Sequence, residues 1–298
     1  MKKVLTVITI ALLIFQIVVL ATEWDVSTAS YDTVFGDLTA ETSSTIDEIW
    51  IKADGSKLYI VHDADNSVYQ YSLTTPWLAS SATYDNKTIQ VTSTDTSPFG
   101  IFLKPDGVTM YICGNSADVI GSWTLSTAWD VSTATDDGEE IDISAQETQP
   151  QGIYFKPDGT YLYVCGNSGN DVGQYHLNTP WDMTSAHYDD KLLDVSGEVS
   201  VPKGLYIRSD GEKLFITGGV NKTVFQYTLS TPWDVSTGTY DEKSFSAATQ
   251  EATLAGGLFL KDDGLRFYVT GYARKMFQYS MPAAAADETN VIWYGTNQ

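Results

Sequence analysis

The sequence predicts an all-β protein, a five-bladed β-propeller of four-stranded antiparallel blades whose ring is closed by an N-terminal strand. Two repeated phrases support this prediction. Phrases of the type TPWDVSTAxYD place tryptophans 53, 52, 52 and 52 residues apart, at Trp24, Trp77, Trp129, Trp181 and Trp233. Phrases of the type KPDG keep this period and end at Gly55, Gly107, Gly159, Gly211 and Gly264. Such a period indicates supersecondary units that bury their apolar faces against their neighbours.

The third copy shows how one unit forms a blade. Two apolar runs rich in β-branched and aromatic residues, at residues 152–155 and 161–165, flank the turn sequence KPDG and predict a hairpin. A third strand is expected at residues 172–177, and a fourth at residues 191–196, after the tryptophan phrase. Four antiparallel strands in one such unit are typical of a propeller blade.

The tryptophan phrase joins the third strand to the fourth, and we expect it on the outer part of the blade. Its indole ring offers a large apolar surface that can wedge between blades, and its Asp-Ser/Thr pair can cap a tight turn. Repetition in every unit favours this structural role for the five tryptophans. A lectin-like site in each blade is the alternative, because an aromatic ring beside a carboxylate can hold a sugar.

The two ends of the repeat region complement each other. Residues 22–39 contain only a tryptophan phrase and a fourth strand, expected near residues 33–39, whereas the last repeat contains three strands. We therefore expect the N-terminal strand to complete the last blade, because this pairing removes exposed sheet edges. The predicted organisation is a leader at residues 1–21, a propeller at residues 22–281 and a C-terminal tail of unassigned role at residues 282–298.

The leader has the layout of a secretory signal peptide. Lys2 and Lys3 precede an uncharged, apolar run that ends at Ala21. The run is nearly long enough to span a bilayer, so an uncleaved membrane anchor is the alternative to a cleaved signal. Both interpretations predict an exported protein, either secreted to the extracellular space or periplasmic, with membrane insertion only if this segment is retained.

Composition favours a folded protein with an acidic surface. The chain has 298 residues, of which 43% are hydrophobic, and a formal net charge of −21. Nucleic acid is not an expected partner, because phosphate backbones are bound by basic surfaces. We interpret the acidic side chains as a solvated surface that keeps an exported protein soluble. On this interpretation they hold no ion, and no cofactor is expected. The alternative is calcium held by acidic loops such as residues 63–66 and 135–140.

Neither the cysteines nor the histidines predict a cross-link or a metal site. Cys113 and Cys165 occupy the same position in adjacent repeats, and equivalent points on neighbouring blades lie about 10 Å apart, too far for a disulfide. Both are expected to be buried free thiols. His62 follows a second strand, His176 lies in a third strand and His187 lies in a tryptophan phrase, so we expect different radial positions and no shared metal.

The hairpins carry a resemblance to a known family. The sequences LKPDGVTMYICGN at residues 103–115 and FKPDGTYLYVCGN at residues 155–167 resemble the PDG-x-x-x-YV blades of YVTN and lactonase-like β-propellers. The similarity extends through all five repeats and implies a propeller fold. Members of that broad class include lactonases, metal-dependent hydrolases and surface proteins without a known activity, so the resemblance does not select a function.

The channel mouth, where each incoming loop meets its innermost strand, is the expected binding site. The residue two places before the first strand's isoleucine or leucine differs in every blade: Asp47, Phe99, Gln151, Lys203 and Gly256. Together with Glu48, the first four are the candidate binding residues. A metal-dependent lactonase resemblance implies glutamate, asparagine and aspartate converging at this mouth, but at these aligned positions only Asp47 and the neighbouring Glu48 supply carboxylates. We therefore predict no catalytic residue and no metal ligand.

Three functions stay open from the sequence. The first is an exported, non-catalytic propeller that binds a glycan, a protein or a surface through its channel mouth. The second is a structural component of a cell envelope or particle, and the third is a lactonase-like metal-dependent hydrolase. Variation at the mouth favours the binding module, and the shortage of carboxylates there disfavours the enzyme.

Overall fold

A computed structural model describes residues 24–283, which form five four-stranded antiparallel sheets arranged as a five-bladed β-propeller. The first strand, β1 (Ser30–Asp37), belongs to the last blade. Blade 1 comprises β2 (Glu48–Ile51), β3 (Lys57–His62), β4 (Ser67–Leu73) and β5 (Ala82–Gln90). Blade 2 comprises β6 (Pro98–Leu103), β7 (Thr109–Gly114), β8 (Val119–Leu125) and β9 (Ala134–Asp142).

The remaining blades repeat this order. Blade 3 comprises β10 (Pro150–Phe155), β11 (Tyr161–Gly166), β12 (Asp171–Leu177) and β13 (Ala186–Asp194). Blade 4 comprises β14 (Pro202–Ile207), β15 (Lys213–Gly218), β16 (Thr223–Leu229) and β17 (Gly238–Ser246). Blade 5 comprises β18 (Ala255–Leu260), β19 (Arg266–Gly271), β20 (Lys275–Ser280) and β1. The first strands of the blades, β2, β6, β10, β14 and β18, pack against one another around the axis.

Short 3-10 helices follow the tryptophans, at Val26–Thr28, Ala79–Ser81, Val131–Thr133, Met183–Ser185 and Val235–Thr237, and a further one spans Asp63–Asp65. The predicted Asp-Ser/Thr cap is confirmed in four phrases; in one, Asp234 Oδ1 accepts a hydrogen bond from the Ser236 N–H at 3.1 Å. Within residues 24–283 no helix is long and apolar enough to cross a membrane. The predicted leader and most of the predicted tail lie outside the described residues.

The N-terminal strand closes the ring, as predicted, although it begins three residues earlier than expected. β1 pairs antiparallel with β20, from Ser30 opposite Ser280 to Asp37 opposite Lys275. Trp24 then occupies the place that the other tryptophans hold in their blades, because an added Cβ on Gly264 would lie 2.5 Å from its indole nitrogen. The N-terminal and C-terminal parts of the propeller therefore both contribute strands to blade 5.

The fourth strands begin earlier than predicted. β13 starts at Ala186, inside the tryptophan phrase, because residues 186–188 pair with residues 175–177 of β12. The register then shifts, with Asp190 at φ 55°, and pairing resumes from Lys191. For the same reason residues 135–140, expected to form an acidic loop, lie within β9.

The tryptophan phrases wedge between blades, as expected, but their indole rings lie over the KPDG-type turns and not on the outer part of the blade. The backbone N–H of Trp181 donates to the Gly159 carbonyl at 3.0 Å, and an added Cβ on Gly159 would lie 2.3 Å from the indole ring of Trp181. From the preceding blade, the Tyr111 hydroxyl donates to the Trp181 carbonyl at 2.8 Å, and Phe102 stacks on the indole at 6.2 Å. Each phrase therefore ties its own turn to the preceding blade.

A cation from the preceding blade covers each of these indoles. The contacts are Lys52 to Trp129, Lys104 to Trp181, Lys156 to Trp233, Arg208 to Trp24 and Lys261 to Trp77, at 5.1–5.9 Å from the ring centroid. Each cation also pairs with the aspartate of its own turn, at 2.7 Å between Lys52 Nζ and Asp54 Oδ2 in blade 1. Cation–π contacts of this kind add to the burial of the ring.

Cys113 and Cys165 are buried and unbridged, as predicted. Each thiol lies near a carbonyl of the next blade; Cys165 Sγ is 2.9 Å from the Lys203 carbonyl oxygen. Burial raises the pKa of both thiols, so they behave as small apolar side chains of the core.

Candidate functional site

The axis of the propeller has two ends with different chemistry, separated by a layer of aliphatic side chains. This layer consists of one residue from each innermost strand: Ile49, Ile101, Ile153, Leu205 and Leu258, each 2–3% exposed. The space between this layer and the aromatic residues that directly follow it in the same strands is only about 20 Å³. Residues that precede the layer lie at one end of the axis, the mouth end, and residues that follow it lie at the other.

The structure brings several predicted mouth residues together but packs them tightly. Lys203 Nζ lies 4.0 Å from Asp47 Oδ1 and 4.4 Å from the ring centroid of Phe99. Asp47, Lys203 and Gln151 are buried, and Phe99 is half-buried. Asp47, Lys203 and Gln151 therefore expose little surface to a ligand at this end.

The two carboxyl groups predicted at the mouth end, Asp47 and Glu48, differ in their protonation at neutral pH. Glu48 Oε1 accepts hydrogen bonds from the backbone N–H groups of Ile49 at 2.9 Å and Leu258 at 3.0 Å. Burial raises the pKa of Glu48 to about 8 despite these bonds. Burial also raises the pKa of Asp47 to about 6, although the Lys203 ammonium and the Asp63 N–H act to lower it. Glu48 is therefore mostly protonated at pH 7.

The raised pKa of Glu48 predicts a loss of stability with rising pH. The folded state keeps a proton that the unfolded state releases, so the stabilisation is present below the ordinary pKa of 4.5 and is lost as pH rises to about 8. Glu48→Gln keeps the accepting oxygen and cannot ionise. We expect this variant to melt several degrees above the native chain at about pH 9, and at nearly the same temperature at about pH 4.5. Equal melting temperatures at both pH values would contradict this assignment.

At the opposite end five aromatic side chains form a closed ring around the axis, named here the aromatic rosette. They directly follow the aliphatic layer in the innermost strands: Trp50, Phe102, Tyr154, Tyr206 and Phe259. Neighbouring rings meet edge to face, with centroids 5.3–6.2 Å apart and interplanar angles of 65–78°. This is the favoured geometry for aromatic pairs.

The aromatic rosette is the floor of an open cavity of about 370 Å³, named here the rosette cavity. Trp77 and Trp129 contribute to its wall. So does the residue two places before each turn glycine: Ala53, Pro105, Pro157, Ser209 and Asp262. The rosette cavity is thus built by the same two repeated phrases that specify the fold.

The wall of the rosette cavity differs from blade to blade, and blade 5 places a carboxylate in it. Asp262 stands where the other blades have alanine, proline or serine. The Tyr206 hydroxyl donates to Asp262 Oδ1 at 2.5 Å. Burial raises the pKa of Tyr206, so this hydroxyl stays protonated. The pair forms a polar edge in blade 5 of a cavity whose lining is mainly apolar, and Lys52 and Asp54 add charged groups from blade 1.

Sequence reasoning missed the aromatic rosette because it aligned the repeats on the residue two places before the isoleucine or leucine. The informative residue follows that isoleucine or leucine directly. The five dipeptides are IW, IF, IY, LY and LF, so an aromatic residue stands at this place in every repeat. The varied wall position before each DG turn was a second signal.

Two of the three histidines come together, contrary to the expectation that their radial positions differ. His176 and His187 are paired across β12 and β13 because β13 begins within the tryptophan phrase. His62 lies apart, buried in blade 1, with its Nδ1 2.8 Å from Asp65 Oδ1 and its Nε2 accepting from the Ser44 N–H at 3.1 Å.

The aspartates of the predicted acidic loop at residues 63–66 contact other side chains of the protein. Asp63 Oδ1 accepts from the Ser97 hydroxyl at 2.7 Å, and Asp65 Oδ1 faces His62. Calcium binding at this loop stays a prediction from composition.

No protein-family model and no curated protein matches the chain. Similar solved structures include a functionally unknown protein from Desulfotomaculum acetoxidans, 15% identical over 76% of this chain and 62% of that chain, with a TM-score of 0.46. A second is a chain of a nidogen–laminin complex, 16% identical over 76% and 72%, with a TM-score of 0.47. A third is a candidate 6-phosphogluconolactonase from Bacteroides uniformis, 11% identical over 74% and 62%, with a TM-score of 0.47. The chain therefore spans less than two thirds of the first and third, and the resemblance to YVTN and lactonase-like propellers stays a prediction.

Proposed function

We propose that this chain is an exported, non-catalytic binding module that holds a saccharide unit of a glycan in the rosette cavity. The observation that supports this most directly is a cavity of about 370 Å³ with an aromatic floor and, in blade 5, a hydrogen-bonded polar pair, Tyr206 and Asp262. Small-molecule sites commonly have volumes of about 300–1,000 Å³, aromatic linings and a few oriented polar groups.

A pyranose ring matches both parts of this lining. One face of the sugar carries C–H groups, which are weakly positive and favour the negative face of an aromatic ring. Its hydroxyl groups can donate to the carboxylate of Asp262, because a carboxylate accepts more than one hydrogen bond. The ligand would therefore stack on the aromatic rosette and be oriented from blade 5.

The charges around the rosette cavity disfavour an anionic ligand. Five turn cations surround this end of the axis, each paired with its own turn aspartate, so these pairs are close to neutral. Asp262, whose Oδ1 accepts from the neutral Tyr206 hydroxyl, adds a negative charge to the lining that would repel an anionic ligand. A neutral saccharide avoids this repulsion, and a cationic ligand is the alternative that the retention experiment distinguishes.

The geometry of the mouth end supports a binding role over metal-dependent hydrolysis. A catalytic divalent ion needs several fixed ligands around one open position. Lys203 Nζ lies 4.0 Å from Asp47 Oδ1, where it would repel a metal ion, and Glu48 is mostly protonated at pH 7. We therefore expect no lactone hydrolysis that depends on a divalent metal and is lost in an Asp47→Asn, Glu48→Gln double variant.

Retention on a panel of immobilised neutral saccharides tests the proposed function. We expect the native chain to bind at least one of them, and Asp262→Asn to weaken that binding about tenfold or more, since a hydrogen bond to a charged group contributes about 1.5–3 kcal/mol. Asp106→Asn is the matched control, because it removes the same charge from a residue that does not line the rosette cavity. Equal retention of both variants, or no retention of the native chain, would contradict the proposal. If the chain bound a trimethylammonium compound in preference to every saccharide, the ligand of the rosette cavity would be a cation and the saccharide proposal would be wrong.

A further inference from the structure

Blade 3 brings two histidines and a carboxylate together at a distance from the rosette cavity's lining. His176 of β12 and His187 of β13 are directly opposed, with ring centroids 5.1 Å apart. Asp189 lies two residues after His187, where the register of β13 shifts. One ring nitrogen from each histidine and one carboxylate oxygen all lie within 4.8 Å of one another.

The corresponding position in blades 1 and 4 holds a different cluster. In blade 1 the Lys57 ammonium lies 2.7 Å from Asp85 Oδ2, and the Ser72 hydroxyl donates to Asp85 Oδ1 at 2.6 Å. In blade 4 the equivalent residues are lysine, threonine and aspartate: Lys213, Thr228 and Asp241. The repeated cluster thus neutralises its carboxylate with a lysine.

Blade 3 replaces this lysine and this hydroxyl with groups suited to a metal. Tyr161 stands opposite His176, where Lys57 stands opposite Ser72 in blade 1. Asp189 keeps the amide contact of the repeat, because Gln174 Nε2 donates to its Oδ2 at 2.9 Å. The lysine nearby in the chain, Lys191, pairs with Asp234 at 2.8 Å. In blades 1 and 4 the lysine ammonium occupies the carboxylate that would otherwise be free to bind a metal ion. Blade 3 has tyrosine in place of this lysine, so Asp189 and the two imidazoles can act together as metal ligands.

We propose that His176, His187 and Asp189 form a binding site for a divalent transition metal of the Zn²⁺ class. Two imidazole nitrogens and one carboxylate oxygen suit zinc, whereas calcium prefers oxygen ligands alone. Ligand atoms around a tetrahedral zinc lie about 3.3 Å apart, so small side-chain rotations would bring the three groups into place. His187 is exposed and His176 is half-buried, which leaves room for these rotations and for a water as fourth ligand. The Gln174 amide would orient Asp189.

The proposed metal site was not expected from the sequence, which predicted no metal shared by the three histidines. That expectation considered His62, which lies in blade 1, and did not include Asp189. The site is also independent of the proposed function, because none of its three residues lines the rosette cavity.

Titration of the exported, tag-free chain with Zn²⁺, in excess Ca²⁺ to occupy weak carboxylate sites, tests the proposal. We expect one Zn²⁺ per chain with micromolar affinity, and shifts of the His176 and His187 imidazole proton resonances on binding. His187→Asn should weaken binding about tenfold or more. Thr239→Asn is the matched control, since Thr239 holds the equivalent exposed position in blade 4 and should leave binding unchanged.

The metal-free melting temperatures of both variants should equal that of the native chain, which shows that any loss of binding is not a loss of fold. Unchanged Zn²⁺ stoichiometry and affinity in a His176→Asn, His187→Asn double variant would overturn the proposal, as would a native chain that binds no Zn²⁺ below millimolar concentration. Saccharide retention measured with and without a chelator separates this result from that of the rosette cavity.

Discussion

Removal of residues 22–39 is expected to lower the melting temperature sharply and to cause association through the open edge of blade 5. The deletion removes β1, which pairs with β20, and Trp24, which is 7% exposed and lies against Tyr206 and Phe215. It also removes the salt bridge of Lys243 with Asp25, at 2.7 Å. The loss should exceed the cost of about 3–5 kcal/mol for truncating one buried aromatic side chain. An unpaired edge strand then offers a template for another chain.

Thermal melts and light scattering of the shortened chain measure both effects. Addition of a synthetic peptide of residues 22–39 provides the control, because it should restore the melting temperature and reduce association. A shortened chain that stays monomeric and melts like the native chain would show that the N-terminal strand does not hold the ring together.

Replacement of a repeat tryptophan is the second change with a large expected effect. Trp129→Ala and Trp181→Ala each remove an indole that covers a turn glycine and stacks on the preceding blade. Both rings are half-buried, so we expect each variant to lose about 3 kcal/mol, the lower part of the range for large core truncations.

The same pair of variants separates stability from binding. Trp129 lines the rosette cavity and Trp181 does not. Denaturant unfolding should therefore give similar losses for the two variants, whereas saccharide retention at a temperature where both are folded should fall only for Trp129→Ala. Equal losses of retention would indicate that the tryptophans act through stability or through a sugar site in every blade.

The fold could be predicted from the sequence because each repeat must solve the same packing problem. The turn glycines have φ of 69–78°, and their neighbouring tryptophans leave no room for a Cβ, so both residues recur at fixed spacing. The prediction that residues 22–39 close the ring was possible because this segment contains only a fourth strand, and the last repeat contains only the first three. Strand boundaries were harder, because β13 begins with polar residues of the tryptophan phrase that pair with β12 before the register shifts near Asp190.

The rosette cavity was not predicted from the sequence, for a physical reason, and binding at the mouth end stays a prediction. Variation between blades pointed to Asp47 and Lys203, which the structure places 4.0 Å apart and buries. An aromatic residue at the rosette position recurs in every repeat, but the pattern does not show whether these rings are buried between strands or face an open space. Only the three-dimensional arrangement shows that Tyr154 and its neighbours face an open cavity. Likewise, the contact between His176 and His187 depends on the strand register.

The central claim, that one saccharide binds over the aromatic rosette, is tested most directly by indole N–H resonances of the isotopically labelled chain during titration with a retained saccharide. The account predicts one bound ligand per chain, with shifts for Trp50, Trp77 and Trp129, which line the rosette cavity, and little change for Trp24, Trp181 and Trp233. Five bound ligands with comparable shifts for all the repeat tryptophans, or binding that shifts none of the indoles at this end of the axis, would contradict it.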